Sequence, residues 1–293
     1  MLLWIRLESM RPPRKHHYIP EWLLSRWRQD FEGEKVIWEF RRQGPENRLT
    51  ARYRHPGAAG YQRDLYTLPR KPENEAAKIE TDLLQVIDDR GAKAVALAEN
   101  NQAAGPSDKM GLVQFMLSML HRSPERIAFL ERGLKKSLVQ NAAFQNEDSS
   151  VFRAGALDVF VDLLQSDLMI SRMMELSTFV IRLDEPAFDL MISDASLMMS
   201  NGLVGRNAFI MLPTSPRTLI MLAEDDALPK HMVSHSGKII SRAINDAVVA
   251  QAKSVVFATN RKQERFIDNR LGHSNQNLNS SIDPITGLVR WKI

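Results

Sequence analysis

The chain has 293 residues, of which 44% are hydrophobic and 25% are charged, and its formal net charge is +4. This is the composition of a globular protein, and it excludes a collagen-like, coiled-coil or disordered chain. The chain contains no cysteine, which excludes disulfide scaffolds, zinc knuckles, iron–sulfur sites and thiol catalysis. At this length it can bury a substantial core, as one large domain or two smaller ones.

The apolar runs are too short for a membrane segment. The longest, residues 110–120, is well below the roughly 20 residues that a membrane-spanning helix needs. The apolar start of the chain is interrupted by Arg6 and Glu8, so a signal peptide is not indicated. We therefore expect no membrane partner and a cytoplasmic location. The basic run that begins at residue 11 makes Met10 an alternative start to Met1.

Charge is distributed unevenly. Residues 1–70 hold 12 Arg and 2 Lys against 8 acidic residues, and four of the five Trp lie within the first 40 residues. Arginine binds phosphate bidentately and stacks on aromatic rings, so this segment suits nucleic acid. The alternative is that these arginines pair with acidic residues of the middle segment while the tryptophans fill a core. The candidate nucleic-acid contacts are Arg14, Lys15, Arg26 and Arg28.

The first third of the chain alternates between short elements. Helical spacing of apolar residues after Pro20 predicts a short helix over 20–28. Residues 35–40 (KVIWEF) have the β-branched and aromatic character of a strand. Residues 43–72 hold seven Gly and Pro residues, which predicts an irregular connection.

Helices follow. Apolar residues at 3.6-residue spacing predict a helix from about 74 toward 98. A second helix is expected to have Ser107 as its N-cap, a third to begin at Ser123-Pro124, and a fourth to begin at Ser150.

Residues 178–223 contain short apolar runs bounded by Pro, Asp, Asn and Gly, which predict the strands of a small sheet. These runs are 179–181, 190–192, 209–211 and 219–221. A last long helix is predicted over 236–254, with Val255 in register. The expected fold is α+β, with a central helical region of about four helices plus the long C-terminal helix, and with short β elements near the N-terminus. We expect an N-terminal extension at 1–13, a single domain at 14–260, and a basic tail or added strand at 261–293.

The densest polar segment is Lys15-His16-His17-Tyr18-Ile19-Pro20. Two adjacent histidines can ligate a divalent metal ion, or one can act as a base while the other binds phosphate. A helix N-terminus directly after them would attract an anion. The alternative is that one imidazole packs in the core while the other caps a helix or faces water.

Two further histidine patterns carry weaker signals. The His pair followed by Asn47 and His55 has the order of an HNH nuclease, but that motif needs a β-hairpin followed by a helix. His231 and His235 have the four-residue spacing of two ligands on one helix face. A metallohydrolase would have Glu directly after the first His, where this chain has Met232, so solvent-exposed histidines are expected there.

Carboxylates and one arginine complete the candidate set. Asp64 lies beside Arg63 and before Tyr66 in an otherwise loose connection, Asp194 follows a predicted strand, and Arg122 ends a predicted helix. The predicted metal ligands are His16, His17 and Asp64, with a divalent metal ion as the expected cofactor. The chain has no Walker loop and no GxGxxG or GxSxG motif, so no nucleotide or flavin cofactor is expected.

Several segments form one pattern that runs through most of the chain: 15–20 with Leu24 and Trp27, 64–67, 115–124, 192–194, 212–217, and Asn245 with Ala252. In these segments the chain resembles an uncharacterised, mainly bacterial family known as domain of unknown function 4238. The resemblance covers about residues 14–260, and its most specific part is the His-His-x-x-Pro opening at His16. The chain departs from the family pattern at Ala195-Ser196, where the family has a residue and then proline.

The resemblance implies that the fold brings together four residues with catalytic potential: His16, His17, Arg122 and Asp194. Three hypotheses follow for their role. The first is a metal-assisted phosphodiesterase or nuclease that acts on nucleic acid, with Arg122 binding phosphate. The second is a non-catalytic module that binds nucleic acid or a protein through the Arg- and Trp-rich segment. The third is a buried hydrogen-bond network that only stabilises the fold.

Overall fold

A computed structural model describes residues 13–200, 203, 205, 207–272, 280–282 and 289–291. The fold is mixed α+β, as the sequence predicts. The strands are β1 (Lys15–His17), β2 (Gln29–Phe31), β3 (Glu34–Gln43), β4 (Arg48–Arg54), β5 (Tyr61–Arg63), β6 (Ser177–Arg182), β7 (Ile192–Ser193), β8 (Met198–Met199), β9 (Phe209–Ser215), β10 (Thr218–Ala223), β11 (Val255–Ala258), β12 (Ser280–Ile282) and β13 (Val289–Trp291). The α-helices are α1 (Glu21–Leu24), α2 (Glu73–Ala76), α3 (Gln85–Glu99), α4 (Pro106–His121), α5 (Pro124–Leu138), α6 (Ser149–Leu164), α7 (Asp167–Glu175), α8 (Ala227–Val233), α9 (Gly237–Gln251) and α10 (Glu264–Asp268).

The strands pair antiparallel in several small sheets. One sheet has the order β6-β10-β9-β8, and a second has the order β2-β3-β11-β7 with β4 also paired to β3. Two-stranded pairs form between β1 and β5 and between β12 and β13. Among the described residues, no helix is long and apolar enough to cross a membrane.

The larger sheets lie between two hydrophobic cores. Alternate residues of β9 and β10 point to opposite cores: Ile210 and Ile220 belong to one, Met211 and Met221 to the other. The first core also holds the buried faces of α3, α4, α6 and α7, and the second holds those of α8 and α9. Because both faces of these strands are buried, their sequences are continuously apolar rather than alternating.

The N-terminal segment is packed into this framework. Trp27 is fully buried, and its indole N–H donates to the carbonyl of Leu190 at 2.6 Å. Tyr18 and Ile19 donate their backbone N–H groups to the carbonyl of Gly60. These contacts attach the N-terminal segment to the chain just before β7 and just before β5.

Several predicted elements are confirmed. The predicted helix at 20–28 is α1 followed by a 3₁₀ turn over Ser25–Trp27. Ser123 caps α5, its hydroxyl accepting from the N–H of Arg126, with Pro124 at the first helical position. The predicted helix from 74 toward 98 consists of α2, a π-helix over Ile79–Leu84, and α3.

Other predictions are wrong in detail. Residues 43–72 are not wholly irregular, since β4 pairs with β3 over seven residue pairs. The Gly44-Pro45 signal marks a hairpin turn rather than a loop. The run at 190–192 contributes β7 to the β11 sheet and not to the small sheet. Val255 begins strand β11 instead of continuing the last helix. Gly105, not Ser107, caps α4.

The α3–α4 packing generates a test of the fold. Gly91 of α3 lies against Phe115 of α4, and a Cβ atom added at Gly91 would approach the Phe115 Cβ to 2.6 Å. Because Phe115 is fully buried, we expect Gly91→Ala to lower the free energy of unfolding by about 1–3 kcal/mol. Urea denaturation measures this change.

Gly133 of α5 provides the matched control, because a Cβ atom there meets nothing within 4 Å. Gly133→Ala should raise the stability by about 0.5–1 kcal/mol through helix propensity alone. Similar stability changes in the two variants would contradict the close α3–α4 packing.

Candidate functional site

His16 has a structural environment. Its side chain is fully buried, its Nε2–H donates to the carbonyl of Pro13 at 3.0 Å, and its Nδ1 accepts from the N–H of Tyr66 at 2.8 Å. The imidazole also stacks on the Tyr66 ring, with 5.6 Å between the ring centroids. Burial lowers the pKa of His16. Both ring nitrogens are therefore engaged by the protein, and the ring is held neutral.

Arg122 lies at the end of α4 and is 1% exposed. Its guanidinium donates two hydrogen bonds to the carboxylate of Asp88 in α3, at 2.6 and 3.0 Å. A third donation, at 2.7 Å, goes to the carbonyl of His17 in β1. The hydroxyl of Tyr66 donates to the Arg122 carbonyl at 2.5 Å. The predicted neighbours Arg122 and His17 are thus in direct contact.

Glu80 lies beside them, in the π-helix that precedes α3. Its carboxyl group hydrogen-bonds with the backbone of His17, and it interacts electrostatically with Arg122 and Asp88. Burial raises the pKa of Glu80 to about 7, although Arg122 and the hydrogen bond oppose the shift. Single π-helical turns inside helices are frequent at functional sites, and a carboxyl group with such a pKa is suited to proton transfer.

The side chain of His17 is half-buried. Burial lowers its pKa, while Glu21 opposes the shift. We call the group formed by His17, Glu80, Asp88 and Arg122 the His17 cluster. Three of its polar atoms are buried and have no hydrogen-bond partner: His17 Nε2, Glu80 Oε2 and Arg122 Nε. Nine side-chain atoms of the described residues are in this state. Three of them belong to the four residues of the cluster, and together with the raised pKa of Glu80 they make it the candidate functional site.

The two carboxylates predicted from the sequence, Asp64 and Asp194, are not part of the His17 cluster. Asp64 is held by Arg14, whose Nε–H donates to it at 3.0 Å, and this contact lowers the pKa of Asp64. Asp194 accepts hydrogen bonds from the backbone N–H groups of Lys253 and Ser254 and from the Ser254 hydroxyl. No hydrogen bond or ion pair in the described part of the chain joins Asp194 to His16, His17 or Arg122.

The predicted nucleic-acid contacts divide into two pairs. Arg14 and Arg26 form ion pairs with Asp64 and Glu99. Lys15 and Arg28 are exposed. The Lys15 ammonium lies 5.2 Å from the centroid of the Tyr61 ring, and Arg28 donates to the carbonyl of Ser25.

The remaining histidines are also placed by the structure. Asn47 lies in the β3–β4 turn, and His55 accepts from the N–H of Gly57 to cap a 3₁₀ turn. His231 and His235 are half-buried rather than fully exposed, with 4.7 Å between their ring centroids. Within the described residues, no group of three or more His, Cys, Asp or Glu side chains is arranged to hold a metal ion. Of the predicted ligands, only His17 has an unengaged ring nitrogen.

Sequence reasoning missed Glu80 and Asp88. Both flank the buried Leu84 at four-residue spacing, so they lie on the apolar face of the helix. An acidic residue on the apolar face of a predicted helix is costly to bury without a partner. That spacing was a usable signal in the sequence.

Glu80→Gln tests the electrostatics of the cluster. The pKa of Glu80 is about 7 in the folded chain against an ordinary 4.5, so between these values the folded state retains a proton that the unfolded state has lost. The free energy of unfolding of the native protein should therefore fall as the pH rises through this window. The variant lacks this contribution. The free energy of unfolding of the variant minus that of the native protein should therefore be larger at pH 8 than at pH 5.

Urea unfolding at the two pH values measures the difference. Glu73→Gln, at an exposed position of α2, is the control and should show no such change. A constant difference between Glu80→Gln and the native protein would show that Glu80 titrates normally.

The sequence comparisons agree with the resemblance noted above. No curated protein and no solved structure matches the chain. A family model described as "Protein of unknown function (DUF4238)" matches residues 15–262, a range that includes every residue of the His17 cluster. The chain therefore belongs to the DUF4238 family.

Proposed function

We propose that this protein is a nuclease that cleaves phosphodiester bonds by general acid–base catalysis at the His17 cluster. The observation that carries the proposal is the set of three buried, unpartnered polar atoms contributed by His17, Glu80 and Arg122. One of each functional type is present: a base, an acid and a cationic donor. This is the combination expected of a site for displacement at phosphorus.

The two titrating groups have complementary protonation states. Burial lowers the pKa of His17 and raises that of Glu80 to about 7. Near neutral pH the imidazole is free to accept a proton, and a substantial fraction of Glu80 has one to donate. Environments that separate the pKa values of two neighbouring groups in this way assign the base and the acid.

RNA is the substrate that fits these roles without an added nucleophile. His17 Nε2 takes the proton of the ribose 2′-hydroxyl, and the 2′-oxygen forms a bond to phosphorus. The bond from phosphorus to the 5′-oxygen breaks, and the leaving oxygen takes the proton of Glu80. The products are a 2′,3′-cyclic phosphate and a 5′-hydroxyl. Arg122 Nε–H donates to a non-bridging oxygen, where negative charge increases in the transition state.

The metal-assisted version predicted from the sequence is less well supported by the contacts. His16 has both ring nitrogens engaged, and Asp64 is paired with Arg14. A metal ion bound by His16, His17 and Asp64 would have to break these contacts. Of the three predicted metal ligands, the metal-free version uses only His17. Because its reacting atoms are buried, the substrate enters only when the covering side chains move.

A cleavage assay with an RNA oligonucleotide and the matching DNA tests the proposal. We expect cleavage of RNA in EDTA, no cleavage of DNA, and a loss of at least about 100-fold in rate in both His17→Asn and Glu80→Gln. Glu73→Gln is the control and should retain full activity, and near-UV circular dichroism checks that each variant is folded. Cleavage that requires Mg²⁺ or Mn²⁺ would favour the metal-assisted version, and no cleavage of RNA or DNA would refute both.

A second candidate function is binding of single-stranded nucleic acid without catalysis. Phe31, Trp38 and Tyr53 come from three neighbouring strands, and their ring centroids lie 5.2 to 6.0 Å apart. Tyr53 is 47% exposed, and the Arg261 guanidinium lies 5.4 Å from the Trp38 ring centroid. Exposed aromatic rings on a sheet, combined with arginine, are typical of surfaces on which bases stack.

Fluorescence anisotropy with a labelled oligothymidine tests this second function. We expect Tyr53→Ala to weaken binding by roughly 5- to 150-fold, the loss of one stacked base, and binding to weaken as salt rises. Leu168→Ala, at a position that is 80% exposed, is the control. An affinity that is independent of salt, or that is unchanged in Tyr53→Ala, would exclude this surface as the nucleic-acid binding site.

A further inference from the structure

A groove of about 510 Å³ opens beside the α4–α5 corner, opposite the loop after β7 and the end of α9. This volume is within the range of small-molecule sites, about 300–1,000 Å³. None of the residues that line it belongs to the His17 cluster, so the proposed reaction does not use it. Its apolar lining comes from Met119, Leu120, Phe129 and Leu197, and its polar lining from Ser123, Glu125, Arg126, Asp194, Gln251 and Lys253.

The acidic side chains of the groove are already engaged. Glu125 forms an ion pair with Arg132 at 2.8 Å. Asp194 accepts two backbone N–H groups and the Ser254 hydroxyl, at 2.7 to 2.9 Å. The side-chain amide of Gln251 donates to the carbonyl of Leu197. The charge of Glu125 is thus paired, and Asp194 and Gln251 are hydrogen-bonded within the protein.

The cationic side chains are not engaged in this way. No ion pair within the described ranges involves Arg126 or Lys253, and Arg126 Nε is buried without a hydrogen-bond partner. Burial and the neighbouring Arg126 lower the pKa of His121 to about 4, so His121 adds no charge at neutral pH. The charged donors of the groove that have no acidic partner therefore belong to two cations, and this favours an anionic ligand.

An exposed aromatic ring lies beside Arg126. Phe129 is 55% exposed, although it lines the groove, and the guanidinium of Arg126 lies 5.3 Å from its ring centroid. A large apolar ring left in water next to a cation is suited to a ligand that has both a planar apolar part and an anionic group.

We propose that this groove binds a small molecule in which an aromatic ring carries an oxyanion, a phosphate or a carboxylate. Arg126 and Lys253 bind the oxyanion, and Phe129 packs against the ring. This site is separate from the His17 cluster and is occupied independently of it.

Isothermal titration calorimetry with phenyl phosphate, benzoate, inorganic phosphate and benzyl alcohol tests the proposal. We expect phenyl phosphate or benzoate to bind more tightly than inorganic phosphate and benzyl alcohol, and the preferred of the two identifies the anion. Arg126→Gln should weaken its binding by about tenfold or more. Phe129→Ala should weaken it severalfold while leaving the affinity for inorganic phosphate unchanged.

Two controls separate this site from other effects. Lys136→Gln removes the same charge from an exposed position of α5 that does not line the groove, and it should change the affinity by less than twofold. Glu80→Gln disables the proposed catalytic site and should leave binding unchanged, so the two proposals can fail separately. The groove proposal is overturned if neither aryl anion binds saturably, if inorganic phosphate binds as tightly as the preferred one, or if Arg126→Gln and Lys136→Gln bind it equally.

Discussion

The buried ion pair between Arg122 and Asp88 is the interaction on which the rest of the structure depends. Arg122 connects three separate parts of the chain: it donates to Asp88 in α3, donates to the His17 carbonyl in β1, and extends from the end of α4. The desolvation cost of a guanidinium that is 1% exposed is offset only while its partners remain in place. Separating α3 from α4 would leave a charge buried and unpaired, and displacing β1 would remove the carbonyl partner of one guanidinium N–H, so the pair favours one arrangement of these three elements.

The same pair organises the electrostatics of the neighbouring groups. Because the Asp88 carboxylate already neutralises Arg122, the guanidinium stabilises the charged form of Glu80 only in part. The pKa of Glu80 therefore remains high. Burial shifts the pKa of His17 in the opposite direction. Burial disfavours the charged form of either group, so it raises the pKa of the acid and lowers that of the base. The proposed catalysis uses this consequence of burial.

The three regions with functional character differ in how their polar groups are satisfied. The His17 cluster is enclosed, and its unpartnered atoms are buried. In the groove beside α5, acids are paired while cations are not. At the sheet surface, Phe31, Trp38 and Tyr53 pack mainly against one another. Enclosed groups with shifted pKa values suit proton transfer, whereas the open surfaces suit binding, so each region matches the role proposed for it.

Elements with local signals could be predicted from the sequence. Ser123 and Pro124 specify the start of α5 because a cap and a fixed φ angle act within one helical turn. The α+β class and the family membership followed from apolar periodicity and from short motifs. The sequence also singled out His17 and Arg122, which lie 105 residues apart and are joined by a hydrogen bond.

Other features depended on tertiary contacts. The polar strand β4 has little local strand character, and its seven pairs with β3 determine its conformation. Val255 matches the helical register but joins a sheet because β3 and β7 flank it. His16 and His17 look equivalent in the sequence. The hydrogen bonds of the His16 ring with Tyr66 and Pro13 give His16 a structural role, and they exist only in the folded chain. The sequence by itself determined which residue types were available and where a helix with a strong local cap, such as Ser123-Pro124, begins. Only the tertiary structure decided which polar atoms are satisfied, because burial and partners are properties of residues distant in the chain.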